Sequence, residues 1–207
     1  MKLHRMAWVA LAVAPLVAAV LPLQADGKYK LVDRWQSPTE QRTFRKFIII
    51  GISDVKEARN QFENNFVSQL RGRNVGATAS YTIVPSLVGI DDAERDKILR
   101  TVEEQHIDGA ITVRAVPLVD MTEEQWIADW KKQIEGTGTL RELIEETLPL
   151  SGEKARKYGV ELTVWDVENR TRVWAGRTGV LGRGDLKKGI PEFVRGVTNV
   201  LVYVDLV

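Results

Sequence analysis

The stretch Phe47-Ile48-Ile49-Ile50-Gly51-Ile52-Ser53-Asp54-Val55-Lys56-Glu57 holds a strand-to-helix junction from which the rest of the chain can be laid out. Phe47-Ile48-Ile49-Ile50 is an unbroken apolar run, the pattern of a strand covered on both faces. Asp54-Val55-Lys56-Glu57 supplies a capping box. Behind it Val55, Ala58, Phe62, Phe66 and Leu70 recur at helical spacing, and Gly72 provides a stop. Residues 77–84 form a second strand closed by Pro85. Asp91-Asp92-Ala93-Glu94 opens a second helix with Ile98, Leu99 and Val102 on its inner stripe. Asp108-Gly109 then turns into a third strand at 110–116, with Ile111 and Val113 on one face. Strand–helix–strand–helix–strand with short links predicts three parallel strands joined by right-handed crossovers.

Outward from this unit the rhythm changes. Upstream, residues 29–35 make a short strand running into Trp35-Gln36-Ser37-Pro38. Residues 118–157 interrupt the alternation as a helical insertion. Thr122-Glu123-Glu124-Gln125 is a further capping box, followed by Trp126, Ile127, Trp130 and Ile134 on one helical face. Gly136-Thr137-Gly138-Thr139 links to a second short amphipathic helix carrying Leu140, Leu143, Ile144 and Leu148. Residues 160–167 and 172–180 form a hairpin across Glu168-Asn169-Arg170-Thr171, and a simple register sets Trp165 opposite Trp174. Ile190-Pro191, with proline at a first helical position, starts a closing helix bearing Phe193, Val194, Val197, Leu201 and Val204. The fold class expected is therefore α/β, a mixed sheet of three parallel strands linked by helices, plus a C-terminal antiparallel hairpin and a closing helix.

The N-terminus has the three parts of a secretory signal. Lys2, His4 and Arg5 form a basic head, residues 6–20 an uncharged apolar run, and Ala25 a small residue ahead of the polar Asp26-Gly27-Lys28. Cleavage is expected after Ala25, leaving a single domain over residues 26–207. The alternative is a retained inner-membrane anchor through residues 6–23, a length at the lower edge for spanning a bilayer and interrupted by Pro15. The domain is thus expected in the periplasm.

Composition removes several classes of function. The 207 residues carry 29 Lys+Arg against 28 Asp+Glu, a balance that lacks the concentrated basic face of a nucleic-acid binder. There is no cysteine, hence no disulfide, thiolate metal site, cysteine nucleophile or lipidated N-terminal cysteine. Only His4 and His106 supply imidazole, and His4 lies in the signal. Serine–histidine triads and two-histidine zinc sites fall with that inventory, and no cofactor or metal is expected.

Several motifs in order resemble a family of small, uncharacterised bacterial envelope proteins, many of them lipoproteins. They are Trp35-Gln36-Ser37-Pro38, residues 47–53 leading into an Arg/Phe-containing helix, Ala79-Ser80-Tyr81-Thr82-Ile83-Val84-Pro85, Asp108-Gly109-Ala110-Ile111, and the hairpin with Trp165-Asp166 and Val173-Trp174. The likeness covers most of residues 29–205 outside the insertion. It implies an envelope location and transfers no catalytic residue. The family's usual lipidated cysteine is missing here, and its often Tyr/Gly-rich middle segment is replaced by the helical insertion.

Two places are candidates for function. Trp126 and Trp130, one helical turn apart, form a possible partner surface, against the alternative that the insertion folds back and buries them. The C-terminal ends of the parallel strands form a possible ligand edge comprising Ser53, Asp54, Asp91 and Asp120, where capping is the competing role for Ser53, Asp54 and Asp91. The glycine-rich residues 179–185 lack the Lys-Ser/Thr of a phosphate loop and are expected as a solvated connection. The expectation is a non-enzymatic domain that binds an envelope protein. The alternatives are a binding module for a small polar or glycan ligand and, third, a carboxylate-dependent hydrolase.

Overall fold

The computed structural model describes residues 31–39, 42–53, 56–87, 91–118, 121–135 and 157–207. The export-like segment, the second insertion helix, Asp54 and Asp120 lie outside these residues. Seven strands share one mixed sheet: β1 (Leu31–Gln36), β2 (Lys46–Ile52), β3 (Gly76–Ala79), β4 (Gly109–Pro117), β5 (Lys157–Asp166), β6 (Thr171–Thr178) and β7 (Leu181–Gly182). Their order is β1-β6-β5-β4-β2-β3, with β7 paired to the start of β5. The strands β4, β2 and β3 are parallel, whereas β1, β6, β5 and β4 run antiparallel to one another. The expected fold class is what the chain adopts.

The apolar run of β2 is central because both of its faces are covered. Phe47 and Ile49 point into a large core with Phe62, Phe66 and Leu70 of α1 (Lys56–Arg71) and Phe193, Val194, Val197 and Leu201 of α4 (Arg183–Tyr203). The Phe62 ring packs at a tilt, 4.9 Å from Phe66 and 6.3 Å from Phe193 between centroids, which joins the two helices. Ile48, Ile50 and Ile52 point the other way, toward Ile98 and Val102 of α2 (Asp92–Glu104) and Trp165. A third, smaller cluster sits beside this one under α3 (Glu123–Glu135), made of Trp130, Ile134, Ala175 and the half-buried Trp35. Helices therefore cover both faces. Among the described residues no helix is long and apolar enough to cross a membrane.

Four local expectations are corrected. The strand expected at 77–84 ends at Ala79, and Ser80–Thr82 form a 3₁₀ turn, because Ser80 and the Tyr81 N–H are drawn to the buried Glu63 carboxylate. Trp165 does not face Trp174. A bulge leaves Val173 as the extra residue, so Val164 pairs with Trp174 and Trp165 with Arg172. That one-residue slip places the two indoles on opposite faces of the sheet. The closing helix begins at Arg183 rather than at Pro191, which lies inside it; the apolar stripe that follows the proline anchors the helix on the core despite the one backbone bond forfeited. Finally, residues 179–185 are only partly a solvated connection, since Leu181 is buried and pairs with Tyr158.

Candidate functional site

The crossover through α1 packs on one face of the sheet and the crossover through α2 on the other, so the switch point lies where β2 and β4 run side by side. Of the candidate ligand edge there, Ser53 is half-buried and Asp91 is already engaged. The Asp91 carboxylate accepts the Glu94 N–H at 2.8 Å, and the Glu94 carboxylate accepts the Asp91 N–H at 3.4 Å, a complete capping box at the start of α2. Capping is thus the role the structure gives Asp91.

Close behind that edge lies a network that pattern reading missed. The Glu63 carboxylate, fully buried, takes the Gly51 N–H, Arg59 Nε and the Ser80 hydroxyl on one oxygen, each at 2.9 Å, and the Tyr81 N–H on the other at 2.9 Å. Arg59 Nη2 donates to the Ser80 hydroxyl at 2.8 Å. Gly51 eases the close approach, since a Cβ there would stand 3.2 Å from Arg59 Cγ and 3.4 Å from the Glu63 carboxylate. The arrangement fixes where β3 ends. A signal was available: Arg59 and Glu63 fall in line with the buried Phe62, Phe66 and Leu70 of α1.

The insertion helix decides between the two readings of its tryptophans. Thr122 and Gln125 cap it as expected, the Thr122 N–H donating to Gln125 Oε1 at 2.8 Å and the Gln125 N–H to Thr122 Oγ1 at 3.2 Å. Trp126 and Trp130, however, are 2% and 5% exposed and form no outward surface. They are buried because the sheet offers each ring a fitted seat. Trp126 lies on Gly159, where a Cβ would fall 2.1 Å from the indole, and its N–H donates to Glu161 Oε1 at 3.1 Å. The Arg177 guanidinium sits 5.0 Å from the Trp126 ring and 5.5 Å from the Trp130 ring, a double cation–π contact.

Beneath these rings the strand registers assemble a row of charge. Arg114 of β4 is opposite Glu161 of β5, Glu161 is opposite Arg177 of β6, and Arg177 is opposite Asp33 of β1. One rung of the sheet therefore reads Arg114, Glu161, Arg177, Asp33, alternating in sign across four neighbouring strands. Arg114 Nη2 is 2.5 Å from Glu161 Oε2, and Arg177 Nη2 is 3.5 Å from Asp33 Oδ2. Arg172, stacked 5.1 Å from the Trp165 ring, stands nearby and donates to the Gln133 carbonyl at 2.7 Å. Burial pushes Arg172 below its ordinary value, Glu161 pulls it back up and Arg114 pushes it down again. It remains a cation at neutral pH, as guanidinium does throughout proteins.

The rung ends at an open edge. The Ser37 N–H donates to the Val173 carbonyl at 2.9 Å, and the same pairing parity turns the peptide groups of Asp33 and Trp35 toward β6. Those of Arg34 and Gln36 then face away from the sheet, where β1 has no neighbouring strand among the described residues. Among the described residues the Arg34 N–H is met only by the side chain of its neighbour, Asp33 Oδ1, at 3.0 Å. Val32, 48% exposed, is the largest apolar group on this strand left open to solvent. Among the described residues no three His, Cys, Asp or Glu side chains are grouped to hold a metal ion.

An α/β protein with a mixed sheet that ends, among the described residues, on the six-residue β1 at one side and the four-residue β3 at the other is what these features define. No protein-family model matches the chain, and no curated protein sequence matches it. Among solved structures it is similar to the PelC dodecamer from Paraburkholderia phytofirmans, at 14% identity and a TM-score of 0.42 over 84% of this chain and 96% of that one. A point variant of the same dodecamer in another crystal form gives 14% identity and a TM-score of 0.44, over 84% of this chain and 97% of that one. A likeness at that level leaves the activity and assembly of this chain unassigned.

Proposed function

We propose that this chain is an exported domain of the bacterial cell envelope that works by binding another protein along the β1 edge, without chemistry of its own. The single observation that carries the reading is the edge itself. β1 lies at one end of the sheet, with the backbone of Arg34 and Gln36 directed outward and Val32 exposed. An unpaired strand of this kind accepts an extended segment through main-chain hydrogen bonds. The envelope location draws on the basic head and apolar run at residues 1–25 and on the resemblance carried by the Trp35–Pro38 and hairpin motifs. Trp126 and Trp130 leave the partner role to the edge, because both rings are used inside the fold.

The test is site-specific photo-crosslinking in intact cells producing the full-length chain, with the reactive residue placed at Val32, Arg34 or Gln36 and, as a control, at the exposed Glu103 of α2. The expected result is one common protein adduct from the edge positions, absent from Glu103, on a chain whose mature N-terminus is Asp26. Adducts from Glu103 with none from the edge, or no edge adduct at all, overturn the reading.

A further inference from the structure

We infer that the strand received by β1 carries a lysine or arginine in register with Asp33, flanked two positions away by an apolar residue. This deepens the edge-binding reading and rests on it. The rung Arg114, Glu161, Arg177, Asp33 alternates in sign and stops on an acid at the open edge. Cross-strand pairs on one face stand about 5 Å apart at Cβ and are favoured when opposite in charge. A strand added beyond β1 continues the alternation only if its residue opposite Asp33 is a cation.

The Asp33 carboxylate is placed for that partner. One oxygen faces inward to Arg177, and the other holds the outward N–H of Arg34 at 3.0 Å. A strand that supplies a carbonyl to Arg34 N–H releases this second oxygen, which then meets the incoming cation. The next rung specifies the flanking residue. It runs Thr112, Thr163, Ala175, Trp35, and Trp35 packs against the small cluster of Trp130, Ile134 and Ala175. Trp35 is only partly buried, so an apolar neighbour on the added strand would cover the remainder. A second copy of β1 does not fit. Two identical antiparallel strands related by a two-fold axis normal to the sheet oppose residues whose numbers differ by an even amount. In the regular run 33–36, Asp33 then meets Asp33 or Trp35 of the copy and never Arg34. With that pairing leaving Asp33 without a cation, the occupant we infer is an extended segment of a different protein.

The chain has no cysteine, so Thr39→Cys, just past β1 on an exposed residue, creates a unique tether. Three peptides are joined to a Gly-Gly-Cys tail and allowed to compete under thiol exchange: Thr-Val-Thr-Arg-Thr-Val-Thr, the same with Glu at the centre, and the same with Pro at every second position. The tether raises the local peptide concentration enough for a weak pairing to register. The Arg peptide is expected to exceed the Glu peptide by about fivefold at low salt, the ratio a cross-strand charge pair of about 1 kcal/mol gives. In the Asp33→Asn background the ratio falls toward one while the melting temperature shows the fold retained. Equal Arg and Glu adducts, both above the Pro peptide, overturn the charge assignment and leave the edge as a binding strand. The same Arg preference with Asp33→Asn overturns it equally. Arg and Glu adducts no higher than the Pro peptide overturn both the assignment and the edge itself.

Discussion

Replacing Gly159 with alanine tests how α3 is held to the sheet. The added methyl would stand 2.1 Å from Trp126 Cζ2 and 2.3 Å from Cη2, and both atoms belong to a ring that Glu161 and Arg177 hold in place. The ring cannot yield by a rotamer change alone without losing its N–H bond to Glu161, so α3 must lift or the strand must shift. Overpacking of this kind costs about 1–3 kcal/mol. For a chain of this size each kcal/mol lowers the melting temperature by about 2–4 °C, so a fall of roughly 2–12 °C is expected. The assay is thermal unfolding of four proteins: the parent, Gly159→Ala, Trp126→Leu and the double variant. Trp126→Leu alone costs stability through its lost burial, but it removes the ring that the methyl strikes. In that background Gly159→Ala is close to neutral, and its helix-free strand position gains a little from the smaller unfolded-state entropy. A Gly159→Ala penalty that is the same in both backgrounds refutes the seating of Trp126 on Gly159. A coupling energy of at least about 1 kcal/mol between the two sites supports it.

Glu63→Ala strands the Arg59 guanidinium and three further donors in the core, and about 3–5 kcal/mol of stability is expected to go, measured by urea denaturation. A loss under about 1 kcal/mol would show that the carboxylate is not the hub of that network. Asp91→Ala removes a capping box and should lower stability by about 1 kcal/mol, as read from the same denaturation curves; an unchanged midpoint would return Asp91 to the ligand edge. Glu124 at the start of α3 is held below the usual carboxylate range by its own backbone N–H and then by the Thr122 hydroxyl. A carboxylate lowered on folding contributes stability that is present above its unfolded value and lost as pH falls through its folded value. The melting temperature of the parent should therefore drop more on acidification through that window than that of Glu124→Gln, and parallel curves would count against these hydrogen bonds to the Glu124 carboxylate.

The parts legible in the sequence are those set by local spacing. The run at 47–50, the α1 stripe, the Asp91 and Thr122 capping signals and the Asp108-Gly109 turn each depend on residues a few positions apart. Together they place β2, α1, α2, β4 and α3 near their observed bounds. What escaped depends on register between distant segments. The indoles Trp165 and Trp174 separate because one extra residue, Val173, enters β6, and no local pattern announces a bulge. The charged rung joins residues 33, 114, 161 and 177, whose alignment exists only once four strands have paired. Trp126 and Trp130 were legible as one helical face, with burial against the sheet and a partner surface both open; what selects burial, Gly159 and Arg177 across the sheet, is not local. Arg59 and Glu63 look like an exposed helical ion pair by type, and only their phase with Phe62 and Phe66 places them inside.

Hydrogen–deuterium exchange of the purified chain, alone and with the protein captured at its edge, tests the central claim most directly. The account predicts that the amides of Arg34 and Gln36 exchange readily in the free chain and become protected in the complex, with α2 and α4 unchanged. Protection confined to another surface, with Arg34 and Gln36 exchanging as before, would contradict it.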